Sequence, residues 1–246
     1  MIAAGVIGRS AAAARADARG ALVVMAKAPR EGRVKTRLAA AHPASEVAQL
    51  SECMLRDTLA LGQSLLRVHV AVMCPLQDVA DLSARLPRGV EVVGQDGEGL
   101  ADALATAFRH FVQAGFPRVI AVDSDSPHLP PAILEAAFTL CDTNDLVVGP
   151  TEDGGYYLVG ASASHPGLFD AAPLGTGGAC QALCARASAL GLSVGISDPW
   201  YDVDVPADLS RLAADLRLAP GRAPRTAAFL ARWGRTPGAP DANRGR

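Results

Sequence analysis

Short apolar runs alternate with longer segments of helical periodicity along most of the chain. Continuous runs of Val, Leu, Ile, Ala and Met are typical of strands that are buried on both faces of a parallel sheet. They predict strands over residues 21–26, 68–73, 90–93, 118–122, 145–148, 156–160 and 193–196. Apolar residues at helical spacing predict helices over residues 44–66, 78–86, 99–114, 130–141 and 178–190. Strands that alternate with helices predict an α/β fold with a mostly parallel sheet.

The same pattern predicts one domain with a segment on either side of it. Residues 1–20 are rich in Ala and lack a core-forming period, so we expect a flexible N-terminal extension. Residues 21–233 carry the predicted elements, and neither a repeat nor a linker divides them. Phe229 and Trp233 predict a last short helix that packs on the body. Residues 234–246 are rich in Pro, Gly and Arg, which predicts a disordered basic tail.

Composition excludes several classes of partner. The chain has 246 residues, 50% of them hydrophobic, and a formal net charge of −2, whereas nucleic-acid surfaces need an excess of Lys and Arg. No apolar stretch reaches the roughly 18 residues that a membrane span requires, and residues 1–8 are too short for a signal peptide. Five scattered cysteines favour a reduced, cytoplasmic protein. We expect small-molecule partners, no nucleic acid and no membrane, in a monomer or homodimer.

A basic loop follows the first predicted strand and contains both lysines of the chain, Lys27 and Lys35. The carboxyl end of a strand in an open α/β sheet is where ligands bind. Lys35 offers a point charge and Arg37 a planar fork, and we expect both to contact phosphate rather than folding partners. The Walker A spacing is absent. The loop therefore predicts a nucleotide-phosphate site formed by Lys27, Gly32, Arg33, Lys35 and Arg37.

Two acidic pairs follow strands that are predicted to end at this same edge. Asp123 and Asp125 come after the fourth strand, and Asp202 and Asp204 come after the last one. Carboxylates spaced in this way can hold Mg²⁺ or Mn²⁺, although each pair could also form a turn or cap the following helix. Together with the basic loop they supply what a magnesium nucleotide needs. We expect the metal ligands to be Asp125 and Asp204, with Asp202.

Two glycine-rich segments add candidate contacts to the substrates. Residues 94–100 form a turn that opens a helix, and there Gln95, Gly97 and Gly99 could read the edge of a base. Residues 149–157 could form either an acceptor site or a simple β-hairpin. In the first case Glu152 or Asp153 could accept a proton. The predicted acceptor-binding residues are Glu152, Asp153, Gly154, Gly155 and Tyr156.

Four motifs together resemble the bacterial radical-SAM/selenodomain-associated transferase family. They are Met25–Leu38, the Asp-Ser-Asp-Ser-Pro turn, Gly-Pro-Thr-Glu-Asp-Gly-Gly-Tyr-Tyr-Leu and the late segment ending at Leu209, and the resemblance covers about residues 21–233. That family is glycosyltransferase-like and similar to 2-phospho-L-lactate guanylyltransferase. The resemblance implies a Rossmann-like three-layer sandwich of the GT-A, nucleotide-diphospho-sugar transferase type. It also implies Asp125 as metal ligand, whereas Asp123 stands where similar chains often carry Gly.

Three functions remain open at this point. A nucleotidyltransferase would transfer a nucleoside monophosphate from a nucleoside triphosphate to a phosphate or phosphonate acceptor and release pyrophosphate. A glycosyltransferase would transfer a sugar from a nucleoside-diphosphate sugar. A nucleotide-binding module would do neither. The basic loop and the second acidic pair favour nucleotidyl transfer, with Lys35, Arg37, Asp125 and Asp204 as the catalytic residues.

Overall fold

The computed structural model describes residues 17–170 and 177–233. Seven strands form one sheet in the order β3-β2-β1-β4-β6-β5-β7. Their bounds are β1 Gly20–Met25, β2 Val68–Cys74, β3 Glu91–Gly94, β4 Val119–Asp123, β5 Leu146–Pro150, β6 Tyr156–Ala161 and β7 Val194–Ile196. Every strand predicted from the apolar runs is present within two residues at each end. The predictions for residues 1–16 and 234–246 lie outside the described residues.

The sheet is mostly parallel, as predicted. Strand β1 pairs in parallel with both β2 and β4, and β2–β3 and β5–β7 are also parallel. Strand β6 is the exception, because it runs antiparallel to both β4 and β5. The chain builds outward from β1 in one direction to β3 and in the other direction through β4. The topological switch point therefore lies at the carboxyl ends of the neighbouring strands β1 and β4, and open α/β sheets bind ligands at such a point.

Eight α-helices are present among the described residues. Their bounds are α1 Thr36–Ala39, α2 Ala44–Ser64, α3 Val79–Arg85, α4 Gly99–Gln113, α5 Pro131–Leu140, α6 Ala179–Ala189, α7 Pro206–Leu218 and α8 Pro224–Trp233. Short 3₁₀ helices cover Leu76–Asp78 and Pro220–Arg222. Within this part of the chain, no helix has the length and apolar content to cross a membrane.

Helices cover both faces of the sheet. Leu22 and Val24 of β1 pack on one face with side chains of α2 and α5, whereas Ala21 and Val23 pack on the other face with side chains of α4 and α6. This alternation follows from the pleat of a strand, which points successive side chains to opposite faces. The result is the three-layer α/β sandwich that the resemblance implied. A third cluster joins α1, α2, α7 and α8 beside the sheet.

Candidate functional site

A cavity of about 860 Å³ lies at the carboxyl ends of β1, β2, β3 and β4. Lys27 lines it after β1, Pro75 after β2, Gln95 after β3 and Asp125 after β4. Asp204 reaches the same cavity from the segment that precedes α7. The basic loop, Asp125 of the first acidic pair, the glycine-rich residues 94–100 (called the base loop below) and Asp204 of the second acidic pair thus meet at the switch point of the sheet.

The basic loop supplies four cations to the cavity wall, Lys27, Arg33, Lys35 and Arg37. Lys27 and Arg33 are exposed, and the side chain of Arg37 is 68% exposed, so these three remain accessible to an anion. Gly32 has a φ of 70° and forms part of a turn in the loop, but it does not line the cavity. The loop can therefore present three accessible positive charges to phosphates, and Nη1 of one of them, Arg37, also lies 3.7 Å from Oδ2 of Asp204.

Lys35 differs from the other three cations because its ammonium group is inside the protein. Its side chain is 4% exposed, and Nζ donates to the backbone oxygen of Val203 at 2.6 Å. Nζ also lies 2.8 Å from Oδ1 of Asp125 and 3.7 Å from Oδ1 of Asp204. The prediction that Lys35 has no folding partners is wrong. A polar loop sequence does not reveal that its side chain turns inward between two later segments.

Electrostatics keeps Lys35 charged. Burial alone would lower the pKa of its ammonium, but the carboxylates of Asp125, Asp204 and Asp123 outweigh burial and raise that pKa. Lys35 also has a φ of 44°, a left-handed conformation that is uncommon for residues other than glycine. Strain of this kind persists only where the surroundings enforce it. The three oxygen partners of Nζ supply that enforcement.

The two acidic pairs lie together beside Lys35. The N–H of Val203 donates to the backbone oxygen of Asp125 at 3.1 Å, and the N–H of Asp125 donates to Oδ1 of Asp123 at 2.8 Å. Ser126 adds a hydroxyl that donates to Oδ1 of Asp202 at 2.9 Å. Ser126 belongs to the Asp-Ser-Asp-Ser-Pro turn but is not among the predicted site residues. These bonds bring two segments that are far apart in sequence to one place.

Burial and mutual repulsion disfavour charge on this cluster. Burial and the neighbouring Asp125 raise the pKa of Asp202 to about 6. The same two causes raise the pKa of Asp204, and burial together with Asp202 and Asp125 raises the pKa of Asp123. Four carboxylates with one internal ammonium form a site that a further cation would stabilise.

The carboxylates that fit a divalent metal are Asp125 and Asp204. Both line the cavity, and each has an oxygen near the ammonium group of Lys35, so the two carboxylates lie close to each other. In the described residues, no group of three or more His, Cys, Asp or Glu is arranged to hold a metal. Mg²⁺ is commonly bound by one or two carboxylates together with waters and substrate phosphates. The donor set therefore fits a metal that binds together with phosphates.

The base loop is shaped by its own hydrogen bonds. Nε2 of Gln95 donates to the backbone oxygens of Gly97 at 3.2 Å and Gly99 at 3.1 Å, and all three residues line the cavity as predicted. The N–H of Glu98 donates to Oδ2 of Asp102, and a Cβ at Gly97 would overlap the same carboxylate. The glycines are thus required by the path of the loop, and a base-reading role stays a prediction.

Apolar and hydroxyl groups complete the wall of the cavity. Leu76 is 72% exposed and Leu100 is 40% exposed, and both line the cavity beside the base loop. Ser51 of α2 and Ser124 also reach the wall. Ser51 and Leu100 lie in predicted helices and Ser124 in the predicted acidic turn, whereas the sequence predicted no element at Leu76. The end of β2 at Cys74 was the signal that could have found Leu76, since the segments after parallel strands share one edge.

The predicted acceptor residues lie outside the lining of this cavity. Glu152 is held by Arg211 of α7 through two hydrogen bonds of 2.6 and 2.9 Å. Oδ1 of Asp153 accepts the N–H of Gly155, and Gly154 lies so close to Gly177 that a Cβ would overlap its backbone oxygen. The segment joins β5 to the antiparallel β6, as the hairpin interpretation predicted. An acceptor role for these residues stays a prediction.

Tyr156 and Asp202 also lie outside the cavity lining. The hydroxyl of Tyr156 is buried, and burial raises the pKa of this phenol. Asp202 accepts a hydrogen bond from Ser126, and burial and the nearby charges of Asp125 and Asp204 raise its pKa. Asp202 is therefore placed to support the two cavity carboxylates rather than to contact a ligand directly.

Solved structures with this architecture include several transferases. A crystal structure from Desulfovibrio desulfuricans G20, described as a candidate nucleotide-diphospho-sugar transferase, is 25% identical, with a TM-score of 0.82 over 89% of this chain and 96% of that one. CMP:2-keto-3-deoxy-manno-octonic acid synthetase in complex with CTP is 14% identical, with a TM-score of 0.53 over 81% and 99%. 4-Diphosphocytidyl-2C-methyl-D-erythritol synthase from Anaerococcus prevotii DSM 20548 is 10% identical, with a TM-score of 0.52 over 81% and 97%.

Sequence comparison adds less than the fold. No curated protein matches the chain. A family model does match residues 58–176, from α2 to the second glycine-rich segment and beyond it, and that family is described as an uncharacterized protein conserved in bacteria (DUF2064). The fold and these likenesses support a transferase of the nucleotide-using α/β class.

Proposed function

We propose that the protein is a metal-dependent nucleotidyltransferase. It transfers a nucleoside monophosphate from a nucleoside triphosphate to a small phosphate or phosphonate acceptor and releases pyrophosphate. The observation that carries this proposal is the meeting, in one cavity, of the accessible cations Lys27, Arg33 and Arg37 with the carboxylates Asp125 and Asp204. Cations neutralise a triphosphate, and two carboxylates can share a Mg²⁺ or Mn²⁺ with it.

The reaction needs positioning and charge neutralisation more than a covalent intermediate. An oxygen of the acceptor attacks the α-phosphorus, and the bond from that phosphorus to the bridging oxygen of the β-phosphate breaks. Pyrophosphate leaves with the bonding electron pair and gains negative charge. Lys27, Arg33 and Arg37 stabilise that charge more in the transition state than in the ground state.

The carboxylates have a separate task. Asp125 and Asp204 would hold the metal, supported by Asp202, and a metal bound there would neutralise the phosphates at the reacting end. Lys35 holds Asp125 and the backbone of Val203 in place through its ammonium group. Gln95, Gly97 and Gly99 would contact the base at the other end of the cavity. We also propose that the protein is related to the radical-SAM/selenodomain-associated transferase family and is similar to 2-phospho-L-lactate guanylyltransferase.

Glycosyl transfer is the second candidate, and one observation favours it. The likeness of highest TM-score among the three described above is to the candidate nucleotide-diphospho-sugar transferase. In that reaction an acceptor hydroxyl attacks the sugar carbon and the nucleoside diphosphate leaves. It needs a general base, for which Glu152 and Asp153 are the predicted candidates. The three accessible cations would then act on a diphosphate rather than on a departing pyrophosphate.

A paired assay separates the candidates. Pyrophosphate release is measured with ATP, CTP, GTP and UTP over a panel of phosphorylated and phosphonate acceptors, and nucleoside-diphosphate release is measured with common nucleoside-diphosphate sugars. Pyrophosphate release supports the proposal, and nucleoside-diphosphate release with a glycosylated acceptor supports the second candidate. Binding without turnover in either assay supports a nucleotide-binding module.

Removal of one carboxylate tests the metal site. Asp125→Asn keeps the shape of the side chain and removes its charge, so activity is expected to fall about 100-fold or more, and EDTA is expected to abolish wild-type activity. Mn²⁺ binding in the presence of nucleotide, followed by electron paramagnetic resonance, is expected to weaken in the same variant. Full activity of Asp125→Asn in EDTA-treated buffer would contradict the metal assignment.

A further inference from the structure

Asp78 is a buried carboxylate that the proposed reaction does not use. It ends the 3₁₀ helix after β2, and only 5% of the residue is exposed. Its Oδ2 accepts the backbone N–H of Ala28 at 2.9 Å, and its Oδ1 lies 2.8 Å from Nη1 of Arg30. Both partners belong to the start of the basic loop, which follows the neighbouring strand β1.

These bonds fix the place where the chain leaves the sheet. The N–H of Ala26 makes a last bond along the strand edge, to the backbone oxygen of Met73 at 3.0 Å. Lys27 follows at the cavity wall, the N–H of Ala28 is held by Asp78, and Pro29 has no N–H to contribute. Asp78 therefore determines the direction of the backbone directly after Lys27.

Asp78 also divides the cations of the loop into two groups. The guanidinium of Arg30 is held by Asp78 and, through Nε at 3.1 Å, by Asp81 of α3. Arg30 is not among the residues that line the cavity, whereas Lys27 and Arg33 are. One arginine thus anchors the loop, and the others remain available to an anion.

We infer that Asp78 is a positioning residue that holds the start of the basic loop so that Lys27 reaches the nucleotide phosphates. This inference rests on the proposed binding of nucleotide in the cavity. It concerns the affinity of the site, because Asp78 acts through the backbone of Ala28 and does not itself contact the ligand.

Loss of the negative charge and loss of the anchor predict opposite changes in nucleotide affinity. Replacement of Asp78 by a neutral residue makes the surroundings of the basic loop more positive, and Coulomb attraction alone would then tighten the binding of an anion. Loss of the anchor would instead let Lys27 move and weaken the binding. Asp81 provides the matched control, because its loss removes the same charge and contacts with Arg30 and Arg85 but leaves Ala28 held by Asp78.

The experiment compares Asp78→Ala, Asp78→Asn and Asp81→Asn with the wild type by calorimetric titration with magnesium and each of ATP, CTP, GTP and UTP. Asp78→Ala is expected to bind the wild type's preferred nucleotide roughly tenfold more weakly, or worse. Asp78→Asn retains an acceptor for the N–H of Ala28, so it is expected to bind within about threefold of wild type, as is Asp81→Asn. Hydrogen exchange should be faster at the amide of Ala28 in Asp78→Ala and remain slow in Asp78→Asn.

The outcomes separate this inference from the function on which it rests. A wild type that binds none of the four nucleotides overturns both. A wild type that binds, beside an Asp78→Ala variant that binds equally well or more tightly, overturns the positioning role alone. If Asp78→Ala does not fold, Asp78→Glu keeps the charge and displaces the carboxylate by one methylene. Weaker binding by folded Asp78→Glu supports the inference, and unchanged binding overturns it.

Discussion

The ammonium group of Lys35 joins the basic loop to both acidic segments through three oxygen atoms. Its removal leaves Asp125 and Asp204 close together without an internal cation. The other lysine of the chain, Lys27, is exposed at the wall of the same cavity. These two residues have the same chemistry and opposite burial, so they form a natural pair of test positions.

Lys35→Ala is expected to lower the free energy of unfolding by about 2–3 kcal/mol, less than for a fully buried pair because the Asp125 side chain is 35% exposed. Lys27→Ala is expected to leave the melting temperature unchanged and to weaken nucleotide binding roughly tenfold or more. Urea denaturation and calorimetric titration of both variants provide the measurements. Equal stability of Lys35→Ala and wild type would show that the ammonium group is not a structural tie.

His128 provides a second prediction at the level of a single residue. It is 1% exposed, packs against the rings of Trp200 and Tyr201, and has no hydrogen-bond partner for either ring nitrogen among the described residues. Burial lowers its pKa to about 4, with Arg222 and Arg211 acting in the same direction and Asp215 against it. The unfolded chain, in contrast, takes up a proton on this residue below about pH 6.5.

Stability should therefore depend on pH through His128. As the pH falls from about 6.5 to 4, the unfolded state binds a proton that the folded state excludes, so the free energy of unfolding falls by up to about 1.4 kcal/mol per pH unit. His128→Phe keeps an aromatic ring at this position and lacks the titration. Urea denaturation at pH 7, 6 and 5 should show that the wild type loses stability relative to this variant. Parallel pH profiles would contradict a buried neutral histidine.

At the scale of elements, periodicity predicted most of the fold. Continuous apolar runs revealed the strands because both faces of the sheet are covered. The five helices predicted from apolar residues at helical spacing are present within two residues at each end. Periodicity did not predict α1, which has four residues and follows the strained Lys35. Nor did it predict the antiparallel pairing of β6 with β4, because strand order depends on contacts that are distant in sequence.

A buried carboxylate of α2 helps to hold the start of helix α8 on the body. The side chain of Asp57 is fully buried, and its Oδ2 accepts the N–H of Thr226 at 2.8 Å and the hydroxyl of Thr226 at 2.9 Å. Arg225 adds an ion pair of 3.2 Å to Oδ1. A carboxylate from another helix thus satisfies backbone donors in the first turn of α8 and opposes its positive end.

Asp57→Ala is expected to lower the free energy of unfolding by about 2–4 kcal/mol, since it leaves buried donors at the start of α8 without an acceptor. Asp57→Asn keeps an acceptor oxygen and should lose less. Nucleotide affinity should be the same in both folded variants and the wild type, because Asp57 does not line the cavity. A stability equal to that of wild type in Asp57→Ala would show that α8 is held by its apolar face alone.

For the whole molecule, the strand ends explain which part of the site was predictable. The basic loop, the base loop and Asp125 all follow parallel strands, and parallel topology brings the carboxyl ends of such strands to one edge. Asp204 was found from its acidic pair. The acceptor side was not predictable in this way, because Glu152 and Asp153 lie in a hairpin between β5 and β6, where position depends on the contact with Arg211. Asp78 was missed because its role is visible only through the backbone of Ala28.

The distribution of charge over the cavity makes one prediction about the reaction as a whole. Three accessible cations, Lys27, Arg33 and Arg37, line the cavity from the basic loop, and Nη1 of Arg37 lies 3.7 Å from Oδ2 of Asp204. In nucleotidyl transfer, the departing pyrophosphate gains its charge beside the cations. Interactions that strengthen as charge develops raise kcat, whereas interactions that are equal in both states change only affinity.

Arg37→Ala is therefore expected to lower kcat as well as affinity, by roughly tenfold or more in kcat/KM, if pyrophosphate is the leaving group. Its guanidinium is 68% exposed, so the melting temperature should change little. The wild type should release pyrophosphate only when a phosphorylated or phosphonate acceptor is present, because in the proposed reaction that acceptor supplies the oxygen that attacks the α-phosphorus. Steady-state assays of both proteins, with and without acceptor, provide the measurement. Glycosyl transfer is favoured instead if Arg37→Ala raises KM and leaves kcat unchanged. It is also favoured if the wild type makes a nucleoside diphosphate and a glycosylated product without pyrophosphate.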